Sequence, residues 1–357
     1  MKRLPLSVLI ALFFIFLLMS VSVRQSILFL VGVGMGAALA GARFGFTTGW
    51  RQLIEQRDPR GVTGQILLLA LAAALAIPLL ATYTELGAAL GPPSVSLLVG
   101  AFVFGLSMQI ADGCGSGTLY KAGLGIPLNM GILPLFALGS FLGSVHLGGW
   151  LELGQTEPVG LVDLLGAEKA LAVTFLGLLL ALIAVRWWVG PDRTWIDRKW
   201  IWGAIVLALL ATLNLIIAGQ PWGVVYGFGL WAAKAVHAAG IFDPSGNMFW
   251  GQDGNAARLA QSVFLDVTSI TNIGILAGAL WISARSGQGD KPLTRKQWII
   301  GLGAGFIMGY SSRLAFGCNI GAMLSGVSTG SLHGWIWIPL AFLGTMLGVR
   351  IRRHYQF

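Results

Sequence analysis

Long apolar stretches recur along this chain, and they constrain its fold more than any other feature. A helix needs roughly 20 apolar residues to cross the hydrocarbon core of a bilayer. Stretches close to this length lie at residues 6–23, 26–48, 64–82, 95–112, 127–146, 168–189, 200–218, 222–240, 258–283, 298–316 and 333–350. Only 10% of the residues are charged, whereas soluble domains carry about 25%. The sequence therefore predicts an all-α, polytopic transmembrane bundle.

The charged loops predict how this bundle is oriented. Basic residues cluster at 50–63, 186–199 and 285–296, which the positive-inside rule places in the cytoplasm. The loops at 83–94 and 147–167 carry acidic residues without one Lys or Arg, and we place them outside. These clusters account for the net charge of +9. The charge therefore sets the orientation more than the choice of partner. We interpret the clusters mainly as solvated loops, with contact to membrane lipids as the alternative, and expect no nucleic-acid partner.

One apolar stretch is predicted not to cross the membrane. If the N-terminus is cytoplasmic, counting membrane crossings puts every loop up to residue 219 on its predicted side. The basic loop at 285–296 then falls on the wrong side by one crossing. The stretch at 222–240 contains Tyr226, Lys234 and His237, which makes it a poor lipid-facing span. We interpret it as a re-entrant segment buried in protein. The C-terminus then also lies in the cytoplasm.

A glycine-cysteine motif occurs once in each half of the chain. Residues 105–117 and 309–321 share the pattern G-x7-G-C-x2-G, with the cysteines at Cys114 and Cys318. The predicted topology gives the two copies opposite orientations, which predicts an inverted repeat. Transporters commonly place their substrate between such repeats, where broken helices present their ends to the ligand. The expected fold is therefore an inverted repeat of broken and re-entrant helices around a central cysteine-lined pathway.

A third, degraded copy of the motif is predicted near the N-terminus. Gly45 follows Gly36 by nine residues, as each cysteine follows its leading glycine, but the cysteine position is occupied by glycine.

We expect one integral membrane domain over residues 1–357. Its parts would be an extra N-terminal helix at 1–25, which lacks a clear signal-peptide cleavage site, a first repeat at 26–167, a cytoplasmic-loop connection at 168–199 and a second repeat at 200–357.

The motif predicts binding of a small, soft anion. Glycines let the backbone leave the helix and expose amide groups, which favour anions. A thiol in an apolar constriction stays neutral and offers a weak S–H donor and a polarizable sulfur, and weak contacts suit conduction. The pathway positions are Cys114, Cys318 and Gly45. The candidate lining residues are Gly113, Gly115, Ser116, Gly117, Lys121, Arg313, Gly317, Asn319 and Gly321.

Purely structural interpretations of these residues stay open. The cysteines could be small packing residues or could form a disulfide, and Lys121 and Arg313 could reach the membrane interface. The chain has only two cysteines, and their shared place in two copies favours function. The four histidines show no ligand spacing, so we expect no metal and no cofactor. Asp266 would be either a coupling group or a satisfied polar contact.

The sequence resembles the YeeE/YedE family of sulfur-compound transporters. The resemblance is carried by residues 112–123 and 313–334, and more loosely by 43–53. It implies a non-enzymatic permease of the bacterial cytoplasmic (inner) membrane that takes up a reduced sulfur oxyanion, typically thiosulfate, past neutral cysteine thiols. It also implies a TusA-like sulfur-carrier protein as a cytoplasmic partner.

This sequence departs from the family at one pathway position. The family has three pathway cysteines; Cys114 and Cys318 match two, and the third falls at Gly45. Three alternatives follow: the same relay for thiosulfate, a preference for another sulfur or selenium species, or a lining made by Phe44, Thr47 and Thr48. A thiol-redox protein that uses Cys114 and Cys318 as a dithiol, and a subunit that only packs a partner, are the competing functions.

Overall fold

A computed structural model describes residues 3–190, 192–284 and 293–357. In the first half of the chain the helices are α1 (Arg3–Ser20), α2 (Val23–Ala42), α3 (Phe46–Gln56), α4 (Arg60–Thr82), α5 (Val95–Ile110), α6 (Gly115–Gly123), α7 (Pro127–Glu152) and α8 (Leu161–Leu165). The second half contains α9 (Ala167–Val189), α10 (Arg198–Ala218), α11 (Val225–Ala238), α12 (Asp253–Ala260), α13 (Val267–Ser283), α14 (Arg295–Leu314), a π-helix (Asn319–Ser325), α15 (Gly326–Ser328) and α16 (Leu332–His354).

The described residues confirm the all-α prediction. They contain no β-strand, only isolated bridges between Ser94 and Gln155 and between Gly160 and Ser331. Nine helical segments of this part are long and apolar enough to cross a membrane. Large apolar side chains stand exposed on the outer helices, such as Leu9 on α1 and Leu180 on α9, as expected where lipid replaces water.

The predicted segment at 222–240 is a short helix. α11 spans 14 residues, fewer than a bilayer crossing needs. Val225, Phe228 and Leu230 are buried, and α11 packs against α7 and α13. A length and burial of this kind suit a segment that enters the bundle without crossing it. Part of the predicted basic loop, residues 285–292, lies outside the described residues.

The predicted segment at 258–283 is wrong as a single helix. The chain forms α12, then a tight turn at Val263–Leu265, and only then the apolar helix α13. Asp266 is the N-cap of α13, and its carboxylate accepts a hydrogen bond from the Ser269 amide at 2.7 Å. A carboxylate satisfies the free amides of a helix start. Asp266 is therefore a satisfied polar contact at a helix end.

The predicted segment at 26–48 is also interrupted. α2 ends at Ala42, Arg43 takes a left-handed conformation with φ of 48°, and α3 begins at Phe46. The break creates a second helix start within one apolar stretch, beside Gly45.

Close glycine contacts hold the bundle together. α5 packs along α16, α7 along α14, α2 along α13 and α4 along α10. A Cβ on Gly105 would collide with the carbonyl oxygen of Ala341, and a Cβ on Gly309 with that of Phe136. Small residues allow such backbone approach in membranes, where apolar burial gives little force between helices.

We expect Gly309→Ala to destabilise the protein by about 1–3 kcal/mol, because the added methyl group must displace a rigid backbone carbonyl. Gly303→Ala on the same helix is the matched control, since a Cβ there meets no atom of the described residues within 4 Å. Thermal unfolding of the purified variants in detergent measures the difference. Equal unfolding midpoints for the two variants would contradict the packing explanation.

Candidate functional site

Cys114 and Cys318 lie in the centre of the bundle. Both side chains are fully buried and both thiols are free. Cys114 stands between α5 and α6, and Cys318 between α14 and the π-helix. They belong to the same buried cluster of apolar residues.

The backbone makes the same turn before each cysteine. Asp112 and Phe316, each two residues before a cysteine, have left-handed φ angles of 54° and 56°. The amides of Gly113 and Gly317 each donate to the carbonyl five residues earlier, at 3.1 and 2.8 Å. A non-glycine residue in this conformation is uncommon, so its occurrence at equivalent places marks a repeated structure.

Each cysteine then begins a helical segment. The Cys114 sulfur accepts from the Gly117 amide at 3.4 Å, and the Cys318 sulfur accepts from the Ile320 amide at 3.4 Å. Each cysteine carbonyl also accepts from the amide four residues ahead, at 2.7 and 2.8 Å. The thiols therefore face helix N-termini, whose free amides attract negative charge.

The two turns meet. A Cβ built on Gly115 would lie 3.2 Å from the Cys318 sulfur and 3.4 Å from the ring of Phe136. Gly115, which has no side chain, therefore leaves just enough room for Cys318. α6 also contacts the π-helix.

Several buried polar groups beside the cysteines have no partner among the described residues. Asn319 is fully buried, and neither its amide nitrogen nor its carbonyl oxygen is hydrogen-bonded. The hydroxyl of Thr118, on the helix that Cys114 begins, also has no partner there, and neither does that of Thr47, beside Gly45. A buried polar group without a partner costs about 1–3 kcal/mol. Such groups around two buried thiols are available to a ligand.

Gly45 stands in a third turn of the same kind. Arg43, two residues earlier, has φ of 48°. The Phe44 amide donates to the carbonyl five residues before it at 2.9 Å, and the Gly45 carbonyl accepts from the fourth residue ahead at 3.0 Å. Gly45 is the N-cap of α3. The degraded copy predicted from spacing therefore shares the left-handed residue and the two backbone hydrogen bonds of the other two turns.

A cluster of charged side chains surrounds Asp112. Its carboxylate contacts Arg51 at 2.9 Å, Lys121 at 2.6 Å and Arg352 at 3.2 Å. All four side chains are mostly buried. Three cations around one carboxylate leave a positive excess two residues from Cys114. Lys121 is one of the lining residues predicted from the sequence. Arg51 lies in the basic loop predicted at 50–63 and Arg352 near the C-terminus, and nothing in the sequence brings these two distant positions to Asp112.

Arg313 contacts aromatic rings. Its guanidinium lies 4.5 Å from the centre of the Phe249 ring and 5.8 Å from that of Tyr226. Its Nε is buried without a hydrogen-bond partner among the described residues. The Tyr226 hydroxyl in turn donates to Asn255 at 2.8 Å. The structure therefore places Lys121 in the Asp112 cluster and Arg313 against the rings near α11.

The described residues contain no group of three His, Cys, Asp or Glu side chains that could hold a metal ion. The side chains around Cys114 and Cys318 are thiols, amides and hydroxyls, all of which can donate hydrogen bonds.

Comparison with known proteins identifies the family. The sequence model described as "Sulphur transport" matches residues 41–347. This chain belongs to the sulphur-transport family. Members similar to it include the thiosulfate transporter TsuA of Spirochaeta thermophila, 28% identical over 350 residues that cover 91% of this chain and 98% of that protein. TsuA of Escherichia coli is 24% identical over 347 residues, covering 88% of this chain and 90% of that protein.

The probable transporter YedE of Salmonella typhimurium is 27% identical over 175 residues, 46% of this chain and 40% of that protein. The predicted resemblance to the YeeE/YedE family is thereby confirmed. A sulphur-transport family member with nine helical segments of membrane-spanning length in its described part is a multi-pass membrane protein.

Proposed function

We propose that this protein is a permease that takes up thiosulfate through the bacterial inner membrane along a narrow route past Cys114 and Cys318. The observation that carries the proposal is the pair of similar turns that bury two thiols beside the unpartnered amide of Asn319. Relatives named thiosulfate transporters, aligned with this chain over nearly their whole length, support the choice of substrate.

The contacts between helices support an inverted repeat. The helices of the two halves can be exchanged in pairs: α5 with α14, α7 with α16, α2 with α10 and α4 with α13. This exchange turns the α5–α16 contact into the α14–α7 contact, and the α2–α13 contact into the α10–α4 contact. All four contacts are present. The Ser96 hydroxyl, at the start of α5, donates to the Leu314 carbonyl, at the end of α14, at 2.8 Å. A contact between the start of one motif helix and the end of the other supports opposite directions for the two copies, as in an inverted repeat.

The same exchange favours wider repeats than the sequence predicted. α1 contacts α13, and α9 contacts α4, so α1 and α9 hold equivalent places. We infer that the predicted N-terminal extra helix at 1–25 opens the first repeat, and that residues 168–199 open the second.

The hydrogen-bond donors beside the two cysteines explain how a soft anion would pass through the constriction. Thiosulfate has a polarizable terminal sulfur and three oxygens, all of them hydrogen-bond acceptors. In the constriction the ion exchanges its hydration water for the thiol S–H groups, the Asn319 amide and the Thr118 hydroxyl. Thiol donors are weak, so the ion is stabilised enough to enter and held loosely enough to leave.

The Asp112 cluster gives the route a direction. Its positive excess attracts the anion once it has passed Cys114. Arg51 lies in the basic loop predicted at 50–63 and Arg352 near the basic C-terminus, and the positive-inside rule favours a cytoplasmic position for both. A small TusA-like sulfur carrier would receive the sulfur on this side.

Competition by unlabelled anions tests the choice of substrate. Proteoliposomes of the purified chain are expected to accumulate labelled thiosulfate, and unlabelled thiosulfate is expected to compete at least tenfold better than sulfate, because sulfate has no soft terminal atom. Sulfite and selenite, tested beside them, decide whether another sulfur or selenium species is preferred. Uptake no higher than in empty liposomes would overturn the transport proposal, and equal competition by sulfate would overturn the thiol mechanism.

A thiol-redox function is the second candidate, because the turns of the two free cysteines adjoin at Gly115. It predicts a reversible Cys114–Cys318 disulfide, which mass spectrometry after mild oxidation detects. Two free thiols in transport-competent protein would exclude it. Uptake by the chain alone would likewise exclude a role restricted to packing a partner.

A further inference from the structure

The turn at Gly45 shares the left-handed residue and the two backbone hydrogen bonds of a cysteine turn but has no side chain of its own. A Cβ built on Gly45 would lie 3.5 Å from the Tyr120 hydroxyl oxygen, 2.9 Å from the Thr48 hydroxyl oxygen and 3.2 Å from the Thr48 Cβ. The place where the other two turns carry a thiol is therefore faced by two hydroxyl groups.

Tyr120 reaches this place from the other side of the route. It lies on α6, the helix that Cys114 begins, and its side chain is buried. The Thr47 hydroxyl, also buried beside Gly45, has no partner among the described residues. Hydroxyl groups thus converge beside Gly45.

The Asp112 cluster holds the two sides together. Arg51 on α3 and Lys121 on α6 both contact the carboxylate of Asp112. These ion pairs tie the helix that Gly45 begins to the helix that carries Tyr120. The distance between Gly45 and the Tyr120 hydroxyl is therefore a constrained feature of the fold.

We propose that the hydroxyls of Tyr120 and Thr48 form a third anion-binding station at Gly45, in place of a third thiol. The inference rests on the proposed function, because it assigns the station to the same route. A hydroxyl is a stronger and harder donor than a thiol. The station therefore binds the oxygen end of an anion that has one soft terminal atom and several oxygens, while Cys114 and Cys318 contact the sulfur.

Tyr120→Phe tests the station, because it removes the hydroxyl and keeps the ring. Thiosulfate uptake is expected to fall about tenfold, the effect of one lost hydrogen bond to a charged acceptor, with an unchanged unfolding midpoint. Tyr83→Phe is the matched control and should transport as the unmodified chain does, since Tyr83 is half exposed at the end of α4. Undiminished uptake by folded Tyr120→Phe would overturn the inference.

Gly45→Cys provides two further readouts. In the Tyr120→Phe background it restores a donor, so uptake should rise above that of Tyr120→Phe alone; no rise in folded protein would show that the positions share no station. In the otherwise unmodified chain, thiosulfate should protect the introduced thiol from alkylation, as mass spectrometry of its peptide would show. This second readout applies even where Tyr120→Phe fails to fold, and alkylation unaffected by thiosulfate would overturn the inference.

The outcome is separable from that of the proposed function. Uptake by the unmodified chain and its loss in Cys318→Ala are measured in the same liposomes. If both occur while the Tyr120 and Gly45 variants behave as the unmodified chain does, the permease stands and the third station falls.

Discussion

Thiosulfate uptake is expected to fall about tenfold in Cys318→Ala, and further in Cys114→Ala/Cys318→Ala. A hydrogen bond to a charged group contributes about 1.5–3 kcal/mol, of which the lower end applies to a weak thiol donor, and each 1.4 kcal/mol is a factor of ten. Cys318 is fully buried beside Asn319, so water cannot replace the lost donor without widening the constriction. The measurement is the initial rate of labelled uptake into proteoliposomes with matched protein content.

Two controls separate the loss of the thiol from damage to the fold. Cys318→Ser keeps a donor of similar shape and should retain more uptake than Cys318→Ala. Thr174→Ala removes a buried hydroxyl on α9, outside the proposed route, and should leave uptake unchanged. If the double cysteine variant is folded and transports normally, the thiols do not carry the anion, although the assignment to the family would stand.

Asp112→Asn is expected to destabilise the protein by about 3 kcal/mol, because it leaves three mostly buried cations without their shared carboxylate. Removing one member of a buried ion pair typically costs 3–5 kcal/mol, since the remaining charge stays desolvated. The lower end of this range applies, because the Asp112 side chain is 23% exposed. Chemical unfolding in detergent measures the change.

The partner Lys121 supplies the cross-check. Asp112→Asn/Lys121→Gln should lose less stability than the sum of the single variants, because removal of one cation relieves the repulsion that Asp112→Asn creates. Arg353→Gln is the control: its ion pair with Glu55 is 58% exposed on the arginine side, and exposed pairs contribute about 0–1 kcal/mol. Equal losses in Asp112→Asn and Arg353→Gln would mean that the Asp112 cluster has no structural role.

The length of the apolar stretches predicted most of the helices. The prediction failed where polar residues or helix breaks lie inside an apolar stretch. Asp266 falls within the predicted segment at 258–283, but its carboxylate caps α13. Arg43 and Gly45 fall within the segment at 26–48, where the left-handed turn ends α2. Hydropathy averages over such residues, whereas the backbone responds to each one.

The spacing of glycine and cysteine in the motif predicted the cysteine turns, because the geometry of each turn depends only on neighbouring residues. A left-handed residue, a glycine and a helix N-cap follow in order at Cys114, and again at Cys318. The roles of Lys121 and Tyr120 were not accessible in this way. Lys121 pairs with an aspartate that also holds Arg51 and Arg352, and Tyr120 faces Gly45 across helices far apart in the chain.

Hydrophobic length and turn chemistry are properties of short segments, so the amino-acid sequence was enough to predict a helical protein that crosses a membrane many times and repeats one cysteine motif. The three-dimensional packing was needed to find that Gly115 adjoins Cys318, that Asn319 is buried without a partner among the described residues, and that Asp112 brings the distant Arg51 and Arg352 together with Lys121. Those features arise where helices from opposite halves pack, and packing depends on side-chain shape and close backbone approach across the bundle, which no single segment encodes.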